Sequence, residues 1–312
     1  MLSWNFKATM GQQMKLIIRI IRLSGFSVIL LMLFFLTYTL HADTRGVDIK
    51  VRTKTGKLIP LYSDYYALIV GAGDYQKGWP KLPNPANDAR DVANALKAIG
   101  FKLEKIKLLS DPTSEQLKQA FDNLVEIGKD KDKAILFYFA GHGYTLKQAD
   151  DKPLGYIVPV DTPDPESDES GFRKKAISMR QIEEYNQLIK SKHVLMVFDS
   201  CFSGSLFNLV REKPTPYIEE KISYPVRQFI TAGTENEKVP DRSVFKEVFV
   251  KALKNGFGDL NKDGYVTGEE LGYYLQENVV NYSNKRQHPQ FGKINNPKLD
   301  MGDFVFQVAG GQ

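Results

Sequence analysis

The sequence predicts an α/β fold: a mostly parallel sheet of about six strands with helices on both faces. Two observations predict it. Short apolar runs such as Tyr66-Ala-Leu-Ile-Val-Gly71, Ala134-Ile-Leu-Phe-Tyr-Phe139 and His193-Val-Leu-Met-Val-Phe198 have the composition of strands buried on both faces. Between them lie segments with apolar residues at helical spacing, ten or more residues long, as parallel crossovers require.

In chain order, Val47–Val51 alternates apolar and polar residues. Lys54-Thr55-Gly56-Lys57 then turns the chain into Leu58–Tyr62, which reads as a hairpin. After the first buried strand, Asn87–Ile99 places Ala89, Val92, Ala93, Leu96 and Ile99 on one helical face, and Gly100 ends it. Leu103–Leu109 is predicted as a strand. Thr113 opens the next helix, with Gln116 at capping-box spacing and Leu117, Ala120, Phe121 and Leu124 as its apolar face. Helices are predicted over Ser178–Ile189, Val244–Leu253 and Gly268–Val279, and further strands over Gln228–Ala232 and Phe304–Val308. Gly71-Ala72-Gly73 lacks the third glycine and the helix start of a dinucleotide fingerprint, so no nucleotide site is expected there.

Residues 1–42 stand apart. Lys15, Arg19 and Arg22 precede an apolar run from Gly25 to Leu40, and Leu40-His41-Ala42 offers a small-residue cleavage site. A signal peptide or a retained N-terminal membrane anchor both fit, and Met14 would serve equally as a start. Either way the protein is expected to be exported, periplasmic or secreted, or held at a membrane. The net charge of +5 comes largely from this segment: residues 43–312 carry 38 basic against 37 acidic side chains. Nucleic-acid binding, which needs a concentrated basic face, is not expected. The single cysteine excludes an internal disulfide and leaves either a reactive thiol or an inert buried one.

In parallel sheets, ligands gather beyond the carboxyl ends of the strands. The loops after the two most apolar strands read Ala140-Gly-His142-Gly143 and Asp199-Ser-Cys201-Phe-Ser-Gly204. If those strands are neighbours, the only cysteine shares a rim with an imidazole, whose pKa suits it as base to a thiol. The amides of Gly143 and Cys201 would then hold the oxyanion of an acyl intermediate. Asp199, two residues before Cys201, is a poor neighbour for a thiolate but a good one for a substrate cation. Asp88, in Asn87-Asp88-Ala89, either supplies a second carboxylate or acts as a first-turn acid at a helix terminus.

Phe139-Ala-Gly-His142-Gly143, Asp199-Ser-Cys201-Phe-Ser-Gly204 and Asn87-Asp88-Ala89 together resemble the caspase/metacaspase superfamily, in particular its bacterial members. The caspase pattern puts His about 50 residues before Cys; the gap here is 59. The Gln-Ala-Cys-x-Gly form of true caspases is absent. Gly155-Tyr-Ile-Val-Pro159, Arg227–Gly233 and Val239-Pro-Asp241 also look like stretches of bacterial members. The resemblance covers residues from about 45 onward and implies a caspase–hemoglobinase-like three-layer sandwich. It implies a His142/Cys201 dyad and an Arg/Lys-selecting pocket lined by Asp88 and Asp199. Ala140 stands where metacaspases often have a pocket serine, so one hydrogen bond to the substrate cation is lost.

The organisation that follows is a leading hairpin over 43–65 and a peptidase domain over 66–312. The latter comprises a large-subunit-like part (66–207), a linker (208–224) and a small-subunit-like part (225–312). Arg211, Lys213 and Lys221 make self-cleavage in the linker one reading and an uncut loop the other. Protein or peptide substrates are expected; the oligomeric state is left open. A non-proteolytic peptide- or protein-binding module of the same fold is the alternative function, and a calcium-binding envelope protein with a vestigial site a third.

Residues 259–270 match an EF-hand loop. Asp259, Asn261, Asp263, Tyr265 (through its carbonyl), Thr267 and Glu270 fall at the ligand positions, and Gly264 at the turn. Structural Ca²⁺ is one expectation; a turn followed by a Thr267/Glu270 capping box is the other. No cofactor is expected for the chemistry itself. No Cys/His cluster has zinc spacing. His193 and His288 read as structural or surface residues, and His41 lies in the leader.

Overall fold

The computed structural model describes residues 49–52, 56, 58–200, 218–234 and 243–308. All of these residues belong to one compact unit within 47–312, and everything below concerns it. The leader, the linker up to residue 217 and Cys201 itself lie outside the described residues. Among those described, no helix is long and apolar enough to cross a membrane.

The strands are β1 (Ile49–Arg52), β2 (Leu58–Tyr62), β3 (Asp64–Gly71), β4 (Ile106–Ser110), β5 (Lys133–Ala140), β6 (Gly143–Lys147), β7 (Pro153–Ile157), β8 (Ile177–Ser178), β9 (His193–Asp199), β10 (Val226–Thr231), β11 (Tyr265–Thr267), β12 (Gln290–Lys293) and β13 (Val305–Gln307). The helices are α1 (Pro85–Ala98), α2 (Ser114–Ile127), α3 (Pro165–Lys175), α4 (Met179–Leu188), α5 (Ile218–Lys221), α6 (Val244–Lys254) and α7 (Gly268–Tyr282). The central sheet has six strands in the order β12-β10-β9-β5-β3-β4. All neighbours are parallel except β12, which runs antiparallel to β10.

Because side chains alternate along a strand, each central strand feeds two cores. Ala134, Leu136, Tyr138 and Ala140 of β5 face the side covered by α1, α6 and α7, with Leu96, Phe249 and Leu275 among the partners. Ile135, Phe137 and Phe139 face the other side, against Phe121 of α2, Phe172 of α3 and Ile182 of α4. This is the three-layer α/β sandwich the sequence predicts.

Helix starts follow local chemistry. Thr113 accepts from the Gln116 amide at 3.3 Å while the Gln116 side chain accepts from the Thr113 amide at 2.9 Å. Thr267 and Glu270 form the same reciprocal box. α1 begins earlier than the apolar spacing indicates, because Pro85 takes its first turn. Asp88 therefore lies within that turn. Residues 103–105 form a 3₁₀ turn and pairing starts only at Ile106; Leu103 is largely exposed, so the alternation there was not a sign of burial. The three-stranded sheet β6-β7-β8 and helix α3 carry no clean periodicity. α3 buries only Pro165 and Phe172, which is too little to register as an apolar stripe.

His193 opens β9 fully buried and structural. Its Nε2 faces the Tyr224 carbonyl at 3.0 Å, and Nδ1 accepts from the Tyr62 hydroxyl of the leading hairpin. Burial pushes its pKa down to about 3, so the ring is neutral. Arg227 of β10, 2% exposed, has only backbone carbonyls as partners among the described residues. It donates to those of Asn186 (2.8 Å) and Ile189 at the end of α4, and to Lys192 and Val226. It thereby satisfies a helix C-terminus that would otherwise be orphaned. Replacing Arg227 by Met should strand these carbonyls and lower stability by about 2–4 kcal/mol in urea unfolding. A loss below about 0.5 kcal/mol, the range of ordinary surface changes, would contradict this role.

Candidate active site

β5 and β9 are hydrogen-bonded neighbours, and their last residues, Ala140 and Asp199, are partners in register. The Gly141 amide reaches the Asp199 carbonyl at 3.4 Å. The His142 loop and the Asp199-Ser200 exit therefore leave the sheet at the same rim, the rim the strand-end rule selects. The position of Cys201 falls outside the described residues.

Gly141 has a φ of +157°, and a Cβ there would lie 2.7 Å from the Tyr75 hydroxyl. Only glycine lets the chain turn tightly enough to present His142. The Tyr75 hydroxyl accepts from the His142 amide at 2.8 Å and donates to the Val158 carbonyl at 3.0 Å. The imidazole sits against the rings of Tyr75 and Trp79, with centroids 4.6 and 5.1 Å away. Its Nε2 lies 2.8 Å from the Pro80 carbonyl. A carbonyl only accepts, so Nε2 carries the proton and Nδ1 is the basic nitrogen. Desolvation lowers the His142 pKa, partly offset by the Pro80 carbonyl, so the neutral form prevails near neutral pH. Gly143 opens β6 opposite Ile157.

Asp199 points to the opposite face of the sheet from Phe198 and is 4% exposed. Its Oδ2 accepts from the Tyr138 hydroxyl at 2.9 Å and the Ser243 hydroxyl at 2.5 Å. Among the described residues, its Oδ1 is buried without a hydrogen-bond partner. Burial pushes its pKa up to about 6; the two hydroxyls and Lys246 oppose the rise, and Asp88 adds to it. Asp88 and Asp199 thus share one electrostatic environment. Asp88, however, is already ion-paired: the Lys246 ammonium lies 3.1 Å from its Oδ1 and 2.7 Å from Asp91 Oδ2. The pocket expected to receive a substrate cation already contains one.

Tyr138, Ser243 and Lys246 were not singled out from the sequence. Tyr138 was legible as the one hydroxyl in an apolar strand, two residues before Ala140 and hence on its face. Ser243 and Lys246 carried no signal, because their role depends on α6 packing against α1. The Gly71-Ala72-Gly73 turn is held by a carboxylate: Asp111 Oδ1 accepts from the amides of Gly73 and Asp74 at 2.7 and 2.8 Å.

The Caspase domain family model matches residues 64–296. The chain belongs to the caspase domain family. That family is one of cysteine peptidases acting on protein substrates. A crystal structure of a protein from Geobacter sulfurreducens is similar in fold, at 17% identity and a TM-score of 0.50, covering 75% of this chain and 94% of that one. Caspase-1 from Spodoptera frugiperda is 13% identical, with a TM-score of 0.47, over 76% of this chain and 89% of its own. Such identities speak to fold alone. No curated protein matches the chain.

Within this caspase domain the 259–270 loop uses its oxygens internally. Asp259 accepts from the Asp263 and Gly264 amides, Asn261 from Asp263, Asp263 from Tyr265, and Glu270 from Thr267. Among the described residues, no group of three or more His, Cys, Asp or Glu side chains converges as a metal site. Lys221 is 7% exposed and paired with Glu269 at 2.9 Å and Asp303 at 3.1 Å. That burial makes it unsuited to linker cleavage; Arg211 and Lys213 lie outside the described residues.

A buried acid with a raised pKa stabilises the fold only while protonated. The Asp199 contribution is complete below the unfolded value of 3.8 and is lost as pH rises through about 6. Asp199→Asn should therefore unfold at higher urea than the wild type near neutral pH, by about 2 kcal/mol, with the advantage gone below about pH 4. Equal stability at both pH values would contradict the strained carboxylate.

Proposed function

We propose that this caspase domain is a cysteine endopeptidase that cleaves after Arg or Lys, with Cys201 as nucleophile and His142 as base. The observation that carries the reading is the β5–β9 register, together with the Pro80 carbonyl on His142 Nε2. The first supports a common rim for the two loops, and the second leaves Nδ1 unprotonated on the ring.

In this reading Cys201 Sγ attacks the scissile carbonyl carbon and its proton passes to His142 Nδ1. The Gly143 and Cys201 amides hold the developing oxyanion. The C–N bond breaks as His142 returns the proton to the leaving amine, giving a thioester. Water, deprotonated by His142, then attacks the thioester and releases the acid and the thiol. Asp88 and Asp199 hold the basic side chain before the scissile bond, where a desolvated carboxylate favours guanidinium. Export, with the leader either removed or kept as an anchor, is part of the same proposal.

Ca²⁺ binding at 259–270 is a second reading, favoured by the spacing of six oxygen-bearing positions and by the tight turn with positive φ at Lys262 and Gly264. The ion would supply structural stabilisation of the α7 start. Calorimetry should give a binding heat that Asp259→Ala abolishes; no heat in the wild type would exclude the site.

The enzymatic reading is tested with an arginyl chloromethylketone on the chain from residue 43. Mass mapping should find Cys201 alkylated, and Cys201→Ala should abolish cleavage of Arg- and Lys-ended reporters. His142→Ala should cost about 10³-fold or more in kcat/KM. Because the His142 pKa is lowered, the acid limb of kcat/KM should fall below about 6.5, with activity lost as pH drops. A reactive thiol that binds the reagent without turnover of any basic peptide would favour the binding-module alternative.

A further inference from the structure

Lys246 lies on the first turn of α6, three residues after the helix cap Ser243. The two side chains straddle the acid pair: Ser243 holds Asp199 Oδ2, and Lys246 holds Asp88 Oδ1. The ammonium is largely buried, as is Asp88, whereas its second partner Asp91 is half exposed. Among the described residues, Asp199 Oδ1 is a buried acceptor with no partner. A buried acceptor left unmade costs free energy that a ligand donor would recover.

We propose that Lys246 is a built-in occupant of the acidic pocket, which a substrate's basic side chain must displace, so that it raises KM for Arg- and Lys-ended substrates alike. This rests on the peptidase reading above. Displacement is feasible because Asp91 can retain the ammonium after it leaves Asp88, so the swap does not strand a charge. An incoming guanidinium has donors enough to bridge Asp88 and the open Asp199 Oδ1 at once. A substrate ammonium competes as a single point charge, like for like with Lys246. Lys246 thus sets the affinity for basic side chains and takes no part in bond making.

The test compares wild type, Lys246→Met and Lys246→Arg, using reporters that differ only in Arg or Lys before the scissile bond. Lys246→Met should lower KM for both by about tenfold, equivalent to the loss of one competing ion pair, with kcat nearly unchanged. The Arg:Lys preference should stay as in the wild type, because expelling the occupant costs both substrates the same. Lys246→Arg, which can hold Asp88 and Asp91 more tightly, should raise KM for both and covers the case in which Lys246→Met does not fold. Unchanged KM in the folded variants would overturn the proposal. Argininamide binding, measured by calorimetry on Cys201→Ala and on Cys201→Ala with Lys246→Met, needs no turnover. Tighter binding in the double variant supports Lys246 as occupant even if the peptidase reading fails. Equal binding, or none in either, overturns it.

Discussion

The parallel pairing of β5 with β9 is the constraint on which the site depends. It joins two segments separated by more than fifty residues and brings Ala140 level with Asp199. A one-residue slip would reverse the faces of every side chain beyond it. Register is secured by burial on both sides: Tyr138 and Val197 must enter one core, and Phe139 and Phe198 the other. The same packing that fixes the sheet therefore fixes where the His142 loop and the chain after Asp199 begin.

From that rim the two faces take different tasks. On one side, Tyr75, Trp79 and Pro80 dry and orient His142, fixing the protonated nitrogen. On the other, Tyr138, Ser243, Asp88 and Lys246 surround a carboxylate that burial makes costly to ionise. That cost is the kind of local strain expected where a fold serves recognition more than stability. An imidazole that is neutral near pH 7 and a carboxyl poised near its own titration give this rim two distinct pH responses.

Much of this was legible in the sequence, and the reasons are physical. Strands buried on both faces must be continuously apolar, so β3, β5 and β9 declared themselves. Capping boxes at Thr113 and Thr267 depend only on residues three apart, so local reading found them. The strand-end rule located His142 and the Asp199 exit without any contact information. What escaped depends on tertiary packing. Pro80 acts through its carbonyl, which no side-chain pattern reveals. Lys246 matters because α6 packs beside α1, and no spacing along the chain encodes that neighbour. The 3₁₀ turn at 103–105 escaped because exposed alternation imitates a half-buried strand. Asp88 was seen as either pocket acid or first-turn acid; it lies in the first turn of α1 and is ion-paired with Lys246.

The central claim is that His142 is held as the Nε2–H tautomer, which leaves Nδ1 to take the Cys201 proton in the proposed reaction. Nitrogen NMR of histidine-labelled protein, recorded against pH for the wild type and Cys201→Ala, tests it most directly. The account predicts an Nε2-protonated ring in both, titrating below about 6.5 in Cys201→Ala, with a titration that changes when the thiol is present. An Nδ1-protonated ring, or a His142 titration indifferent to Cys201, would contradict it.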